Sequence, residues 1–448
     1  MTWTAIVLAA GRSTRFQSER PKVVHPLAGR PMIRHVLEAL QTAGCSTPPV
    51  VVIGPSASEV REAAGPGARF ATQPEPRGTG DAARWAEPIL RGEVDHILIT
   101  YGDLPLVRPE TFRRLIEAHQ ARGATLTFLT AHRADPTGYG RVIRDPEGRA
   151  LRIVEEAEAD PEERRLPEIN VGVYVIREPW LWPALARLQP SPAKGEIYLT
   201  DLVALAAAEG AQVETVALED PDEALGINTR VQLAEAERIM RRRINTRWML
   251  EGVTLLDPER VYIEAGVRIG PDTVIYPDTY LEGETRIGRR CRIGPNTILR
   301  DAVLGDDCIV EASVVEGAVL ADRVHVGPFA HLRPGTRLAE EVHVGNFAEI
   351  KNSVVGPRTR MHHFGYLGDA TVGADVNIGA GTVTCNYDGV RKHPTVIEDE
   401  AFIGSDTMLV APVRVGRKAK TGAGSVVTRD VPPETLVYGV PARPRPSP

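Results

Sequence analysis

Only four cysteines occur in 448 residues, at Cys45, Cys291, Cys308 and Cys385, and none of their spacings is one that holds a structural metal. A reducing compartment fits that usage. Positive charge is not in excess either: 53 Lys and Arg stand against 59 Asp and Glu, a formal net charge of −6 with a pI near 6.1. Without a general basic field, nucleic acid is not an expected partner, and local basic residues are left to serve small anions. Long apolar runs are missing as well. The run from Ala5 to Ala10 is too short for a signal-peptide core or a membrane span, and it ends in Gly11-Arg12. The expectation is a cytoplasmic protein with no membrane partner.

What is present is length and pattern. At 448 residues and 42% hydrophobic content the chain is long enough for two cores. From Ile263 an aliphatic residue recurs at every sixth position, through Ile269, Ile275, Leu281, Ile287 and Ile293 to Leu299. Four residues after the first six of these stand Val267, Thr273, Thr279, Thr285, Cys291 and Thr297, all small or β-branched. Such a period belongs to neither a helix nor a simple sheet. It marks a hexapeptide solenoid, with one short strand and a turn per hexad, the aliphatic inward and the small residue in the corner. Cys291 and Cys308 sit at the small position and read as packing. Gly270, Gly288 and Gly294 follow the aliphatic, where they are expected to take backbone geometry that other residues resist. The ladder slips, then resumes through Val326, Leu332, Leu338, Val344 and Ile350, and again through Ile397, Ile403, Leu409 and Val415. Breaks in register are expected to mark loops. The longest, Thr384 to Thr395, is too polar for a coil face and should project.

Residues 3 to 228 alternate β-rich runs (Ala5 to Ala9, Val50 to Ile53, His96 to Thr100, Leu126 to Thr130, Val171 to Ile176) with helix-like stretches such as Pro31 to Ala43 and Pro109 to Arg122. This is the α/β doubly wound pattern. Leu8-Ala9-Ala10-Gly11-Arg12-Ser13-Thr14-Arg15 follows the first strand, and Pro21-Lys22 comes next. A strand feeding a small Gly-containing loop exposes backbone N–H groups. Two cations beside it can hold a triphosphate and offset charge on a leaving pyrophosphate. Tyr101-Gly102-Asp103 closes an apolar strand, where an open sheet binds its ligand, and the Asp103 carboxylate suits Mg²⁺. Taken alone, Asp103 reads equally as a turn cap.

The loop resembles the signature of sugar-nucleotide pyrophosphorylases, L-A-A-G-x-G-T-R-M followed by P-K, with Ser13 in place of a Gly and Phe16 in place of the Met. Gln73 with Gly78-Thr79-Gly80, Pro136 to Arg141, Ile153-Val154-Glu155, Glu168-Ile169-Asn170, Gly195 to Asp201 and Gly226-Ile227-Asn228 follow in family order. They resemble the N-acetylglucosamine-1-phosphate uridylyltransferase branch. The resemblance implies that Leu8, Ala9, Ala10, Gly11, Lys22, Gln73, Gly78, Thr79, Tyr101, Gly102 and Asp103 surround UTP. It places Gly140, Glu155 and Asn170 on the amido sugar, and Asn228 with Asp103 on Mg²⁺. Arg15 and Lys22 then carry catalysis by charge and alignment as a sugar phosphate oxygen attacks the α-phosphorus, with no protein nucleophile. Two departures stand out: Val171 where the family has Thr, and Glu156-Ala157-Glu158 without the basic residue that follows the sugar-binding Glu.

From Thr229 to Glu251 there is no Gly or Pro, and the stretch starts on a capping residue, which predicts one long helix. Val231, Ala234, Ile239, Ile244 and Met249 make a loose stripe, so a connecting arm is expected, with Arg241-Arg242-Arg243 on a solvated face. Beyond it, a bare prism would be a trimerisation or spacer module, but its interrupted coils carry polar clusters. Arg333 and Lys351 lie 18 residues apart, three hexads, so they stack on one face if three strands complete a coil. Two aligned cations suit a sugar phosphate. His362 and His363 are adjacent, and on a strand only one of them faces the site.

These segments resemble the C-terminal half of the bifunctional GlmU family, and with the first half the resemblance covers nearly the whole chain. It implies that Arg333, Lys351, Tyr366, Asn377 and Lys392 bind glucosamine-1-phosphate, and that His363 rather than His362 is the general base. The Ala380 amide would hold the oxyanion; Ala380, Asn386, Tyr387, Ser405 and Ala423 would line the acetyl-CoA site. Arg443 would stand in for a family Arg near Val440. The implied fold is α/β plus β-solenoid: a Rossmann-like nucleotidyltransferase domain (1–228), a linker helix (229–250) and a left-handed parallel β-helix acetyltransferase domain (251–448). It assembles as a homotrimer with acetyl-CoA sites at subunit interfaces. The expected activity is synthesis of UDP-N-acetylglucosamine from glucosamine-1-phosphate, acetyl-CoA and UTP. The alternative is a nucleotidyltransferase for another sugar-1-phosphate, with the prism a trimerisation module or an acetyltransferase of different acceptor.

Overall fold

The strand Trp3–Leu8 is buried along its whole length, and the first half of the molecule is built around it. The computed structural model describes residues 2–11, 14–55, 57–192 and 194–444. Arg12 and Ser13 of the glycine-containing loop lie outside the described residues. The chain divides into two units, Met1–Met240 and Arg241–Pro448.

In the first unit the sheet runs Val213–Ala217, Leu126–His132, Glu168–Arg177, His96–Tyr101, Trp3–Leu8, Val50–Ile53, Arg69–Thr72. Alternate residues of the first strand feed opposite faces: Ala5 and Val7 join one apolar cluster, Ile6 and Leu8 the other. Burial on both faces is what a continuous apolar strand encodes. Trp3–Leu8 pairs in parallel with both His96–Tyr101 and Val50–Ile53. Connections therefore leave in opposite directions on its two sides, and its carboxyl end is the topological switch point where such sheets hold ligands. The expected strands are all present. Glu168–Arg177 differs from the simple doubly wound pattern, pairing antiparallel with both neighbours. The strands Arg69–Thr72 and Val213–Ala217 carry half-exposed polar residues, which hid them from the apolar-run criterion.

The long helix spans Arg230–Leu250. Thr229 caps it: its hydroxyl accepts from the Gln232 N–H at 3.2 Å while the Gln232 side chain accepts from the Thr229 N–H at 3.0 Å, a reciprocal box. Both ends of this helix are packed. Ala236 and Ile239 join a buried cluster with Phe16, Met32, Leu106 and Ile227 of the first unit. Ile244, Asn245 and Trp248 are buried within the second. Val231 and Met249, assigned to the stripe, are exposed.

The second unit is a left-handed parallel β-helix of three stacked sheets, with 12, 10 and 9 strands. Every aliphatic of the first ladder is buried, and the small residues Val267, Thr273, Thr279, Thr285, Cys291 and Thr297 fill the interior corners at 0% exposure. Successive coils pair residue for residue, Ile269 on Ile287 and Ile275 on Ile293. The first slip in register is not a loop. Leu299 pairs with Val315 and Leu304 with Leu320, so these coils are shortened at the corners. Gly294 takes a positive φ (99°), as expected, but the other two glycines of the ladder work differently. Gly270 and Gly288 do not have positive φ; the left-handed residues stand two places on, at Asp272 (φ 62°) and Arg290 (φ 55°). A side chain at Gly270 would instead meet the next coil's backbone at 2.7 Å, so glycine is there for close stacking.

Candidate functional site

At the switch point a cleft of about 570 Å³ opens, lined by Leu8, Ala9, Ala10, Gly11, Arg15, Lys22, Gln73, Gly78, Thr79, Tyr101, Asp103 and Asn228 among others. Three elements distant in sequence supply its charged end. Lys22 donates to Asn228 Oδ1 at 2.6 Å and pairs with the Asp103 carboxylate, and Arg15 Nη2 reaches the same Asn228 oxygen at 3.0 Å. One carboxylate and one amide oxygen therefore face a single cation position, and the Asp103 carboxylate is largely shielded from solvent. Hard oxygen donors converging on one point, with room for phosphate oxygens and water to complete the shell, fit Mg²⁺.

The other residues expected at this site fall into two groups. Gly102 is near the cleft but not on its wall: its N–H bonds Leu8 O and its Cα faces Val23 and Ala9. Gly140, Glu155 and Asn170 lie outside the cleft wall. Asn170 N–H donates to Gly140 O at 2.9 Å, and the Asn170 side chain donates to Tyr174 OH at 2.7 Å. Thr200 donates to Glu155 at 2.9 Å, and burial holds the Glu155 carboxyl above the usual range. Tyr101 is half-buried and packs against Gly172, and desolvation raises its phenol well above the ordinary value.

In the prism, the stacked strands Ala348–Lys351 and Gly365–Gly368 put Glu349 beside Tyr366 and Lys351 beside Gly368. Arg333 pairs with Glu349 at 2.8 Å. The Lys351 ammonium is held below the ordinary lysine range by its neighbour Lys392 first, and then by Arg333. Three cations crowded together can offset the charge of an anion. Lys392 is brought there by the loop after Cys385, which does project: Tyr387 is 61% and Val390 89% exposed. Asp388 organises that loop, accepting from the Val390 and Arg391 N–H groups at 2.8 Å each and from His393 at 2.6 Å. Those donors hold the Asp388 carboxyl at about 2.

His362 and His363 are not on a strand; they follow Arg360–Met361 at a corner, so strand alternation does not separate them. Stacking does. The His362 ring lies 4.4 Å from His343, which lies 4.3 Å from His325, a ladder along one prism face, while His363 stands 6.4 Å from His362. His343 is pushed down to about 4, by burial first and then by the flanking histidines. Asn377 sits on that same face, between Arg360 and Phe402, and not on the face of Arg333, Lys351 and Tyr366. Ala380, Ser405 and Ala423 stack along one edge: Asp406 N–H bonds Ala380 O, and Gly424 N–H bonds Ser405 O. The Ala380 N–H has no partner among the described residues. Asn386 is buried and donates to Asp369 at 2.6 Å, and Asn352 donates to the other oxygen of the same carboxylate at 2.6 Å. Arg443 is exposed in a terminal hairpin, opposite Tyr438. Glu349 and Asp369 were not singled out in sequence because their partners are a coil away.

Family models match both units: the MobA-like NTP transferase domain over residues 5–190, the bacterial transferase hexapeptide (six repeats) over 266–301, and the hexapeptide repeat of succinyl-transferase over 284–321 and 394–429. The chain is 50% identical over 433 residues to the bifunctional protein GlmU of Heliobacterium modesticaldum, covering 97% of this chain and 94% of that one. This chain belongs to the GlmU family. A GlmU from Pelobacter propionicus is 50% identical over 441 residues and one from Syntrophomonas wolfei 45% over 437, again nearly end to end. It is accordingly a bifunctional transferase, with uridylyltransferase and acetyltransferase activities. Both departures from the GlmU pattern have structural partners. Glu156 pairs at 2.7 Å with Arg141, whose side chain is 1% exposed, and Val171 is packed in the core with Ile169 and Val173.

Proposed function

We propose that the chain converts glucosamine-1-phosphate to UDP-N-acetylglucosamine in two steps, acetylation on the prism and uridylylation in the α/β cleft. The observation that carries this reading is the presence, in one chain, of the Asp103–Asn228 oxygen pair with its two cations and of the Arg333, Lys351 and Lys392 cluster.

In the acetylation site the three cations hold the sugar phosphate, with Tyr366 and Asn377 on the sugar. His363 takes a proton from the amine as its nitrogen attacks the thioester carbonyl of acetyl-CoA. The Ala380 N–H receives the developing oxyanion, and the intermediate collapses by breaking the carbon–sulfur bond to release the CoA thiolate. Asn386, Tyr387, Ser405, Ala423 and Arg443 line the coenzyme. Asn377 and the cation cluster occupy different faces of one prism, and a site shared between subunits of a homotrimer accommodates that placement.

In the cleft, Leu8 to Gly11, Gln73, Gly78, Thr79, Tyr101 and Gly102 surround UTP, while Gly140, Glu155 and Asn170 shape the sugar end. Mg²⁺ held by Asp103 and Asn228 supplies charge neutralisation of the phosphates. Lys22, which here pairs with the same oxygens, would act with Arg15 on the triphosphate. The phosphate oxygen of N-acetylglucosamine-1-phosphate attacks the α-phosphorus in line, the bond to the β-phosphate oxygen breaks, and pyrophosphate leaves against the two cations. No helix of the described residues is long and apolar enough to cross a membrane, which supports a cytoplasmic setting.

The test mixes the protein with glucosamine-1-phosphate, acetyl-CoA, UTP and Mg²⁺, follows CoA thiol and pyrophosphate separately, and omits one substrate at a time. Thiol release without UTP, with pyrophosphate requiring acetyl-CoA or added N-acetylglucosamine-1-phosphate, supports both sites and their order. Pyrophosphate without thiol would return the prism to the role of a scaffold.

A further inference from the structure

Gln73 follows the strand Arg69–Thr72 directly, is 4% exposed, and lines the nucleotide cleft. Its Nε2 lies 2.7 Å from Asp81 Oδ2 and 3.3 Å from Gly78 O. Both partners are acceptors only. The amide nitrogen must therefore sit on that side, because turning the amide over would set its oxygen against a carboxylate and a carbonyl. With the nitrogen so engaged, Oε1 is left on the opposite side of a planar group, and it has no partner among the described residues.

We infer that Asp81 is a positioning residue for nucleobase choice: it fixes the Gln73 amide so that the cleft offers an acceptor, which selects a base with an imide N–H. Uracil presents an N3–H donor between two carbonyls, whereas cytosine presents a bare N3 acceptor beside an amino group. An Oε1 acceptor bonds the first and faces a lone pair on the second. A site built around one hydrogen bond rejects the analogue that cannot make it, because buried polar groups are left unmatched. The carboxylate is what makes the choice one-sided. An amide at position 81 can donate as well as accept, so it tolerates either orientation of Gln73. The inference rests on the proposed reading that Gln73 meets the uracil of UTP.

The experiment compares kcat/KM for UTP, 5-methyluridine triphosphate and CTP, with N-acetylglucosamine-1-phosphate and Mg²⁺, in the full chain and in the Asp81→Asn and Gln73→Leu variants. Far-UV circular dichroism checks the fold of each. The expected result is a fall of about tenfold or more in the preference for UTP over CTP in Asp81→Asn. 5-Methyluridine triphosphate, which keeps the imide, should track UTP, and Gln73→Leu should erase the same preference. An unchanged UTP-to-CTP ratio in Asp81→Asn, or an equal loss with all three nucleotides, overturns the role of Asp81 while the Gln73 reading stands if Gln73→Leu still loses the preference. A preference that survives Gln73→Leu overturns the placement of uracil against Gln73, and this inference with it.

Discussion

Arg141 is buried to 1% of its side-chain surface, and the only carboxylate it meets among the described residues is Glu156, at 2.7 Å. Its other contacts are carbonyl oxygens, Tyr139 O and Arg164 O. Replacing that carboxylate by a cation would leave a desolvated guanidinium facing a like charge. Removing one partner of a buried pair typically costs about 3 to 5 kcal/mol, and since Glu156 is itself 36% exposed the lower part of that range applies. Glu156→Lys is therefore expected to destabilise the first unit by about 3 kcal/mol in urea unfolding, and Glu156→Gln by less. Equal stability of the lysine variant and the parent would show that solvent already screens Arg141. The same scale separates the two histidines. His363→Ala should lower acetyl transfer by about 10² to 10⁴ and leave uridylylation of supplied N-acetylglucosamine-1-phosphate intact. His362, stacked on His343, should tolerate Ala with a change of less than about tenfold. A reversed pair of effects moves the base to His362.

At the scale of elements, Gly368 shows how a strand position serves a site. It stacks on Lys351, and a methyl group there would press on the Tyr366 hydroxyl and come within 2.6 Å of Asn386 Nδ2. Gly368→Ala should cut acetyl transfer by at least about tenfold by displacing both groups, with unchanged uridylyl transfer as the internal control. Retained acetyl transfer would mean that neither group acts there. Elements of this kind were partly legible in the sequence. The hexad ladder gave away the prism because each coil must bury one aliphatic and one small residue, and that demand leaves a mark at fixed spacing. The P-K and Tyr101-Gly102-Asp103 runs gave away the cleft because backbone turns and strand ends are local. What could not be read were partnerships made by stacking or folding: Asp81 with Gln73, Asp369 with Asn386, Glu156 with Arg141, and the coils whose corners shorten without a loop. The strand Glu168–Arg177 was visible as an apolar run, but its antiparallel direction is fixed by connections, not by side chains.

The two units of the molecule should also part company in acid. In the core of the first unit His119 Nε2 meets His96 Nδ1 at 3.1 Å and His119 Nδ1 meets Thr127 Oγ1 at 2.8 Å, with both rings nearly out of solvent. Burial is the main cause that holds both below the ordinary value of 6.5, His119 down to about 3, and the charge of Arg177 adds to it. His25 and His35 of the same unit are lowered too, again by burial first. Because these folded values lie below the unfolded ones, the unfolded chain binds more protons in the interval between them. Their stability contribution is full above about pH 6.5 and drains away as pH falls toward 3, by up to about 1.4 kcal/mol per pH unit for each group fully coupled to folding. The prism has His343 pushed down to about 4, but that ring is half-buried on an outer face, where solvent blunts the effect. Of the five tryptophans, Trp3, Trp85, Trp180 and Trp182 lie in the first unit, so their fluorescence reports it directly. Stepwise acidification from pH 7 to 4 is expected to shift that fluorescence and abolish uridylyl transfer while far-UV dichroism of the prism persists. His119→Gln should move the transition to lower pH, and simultaneous loss of both units with no response to that substitution would exclude the buried histidine pair as the cause.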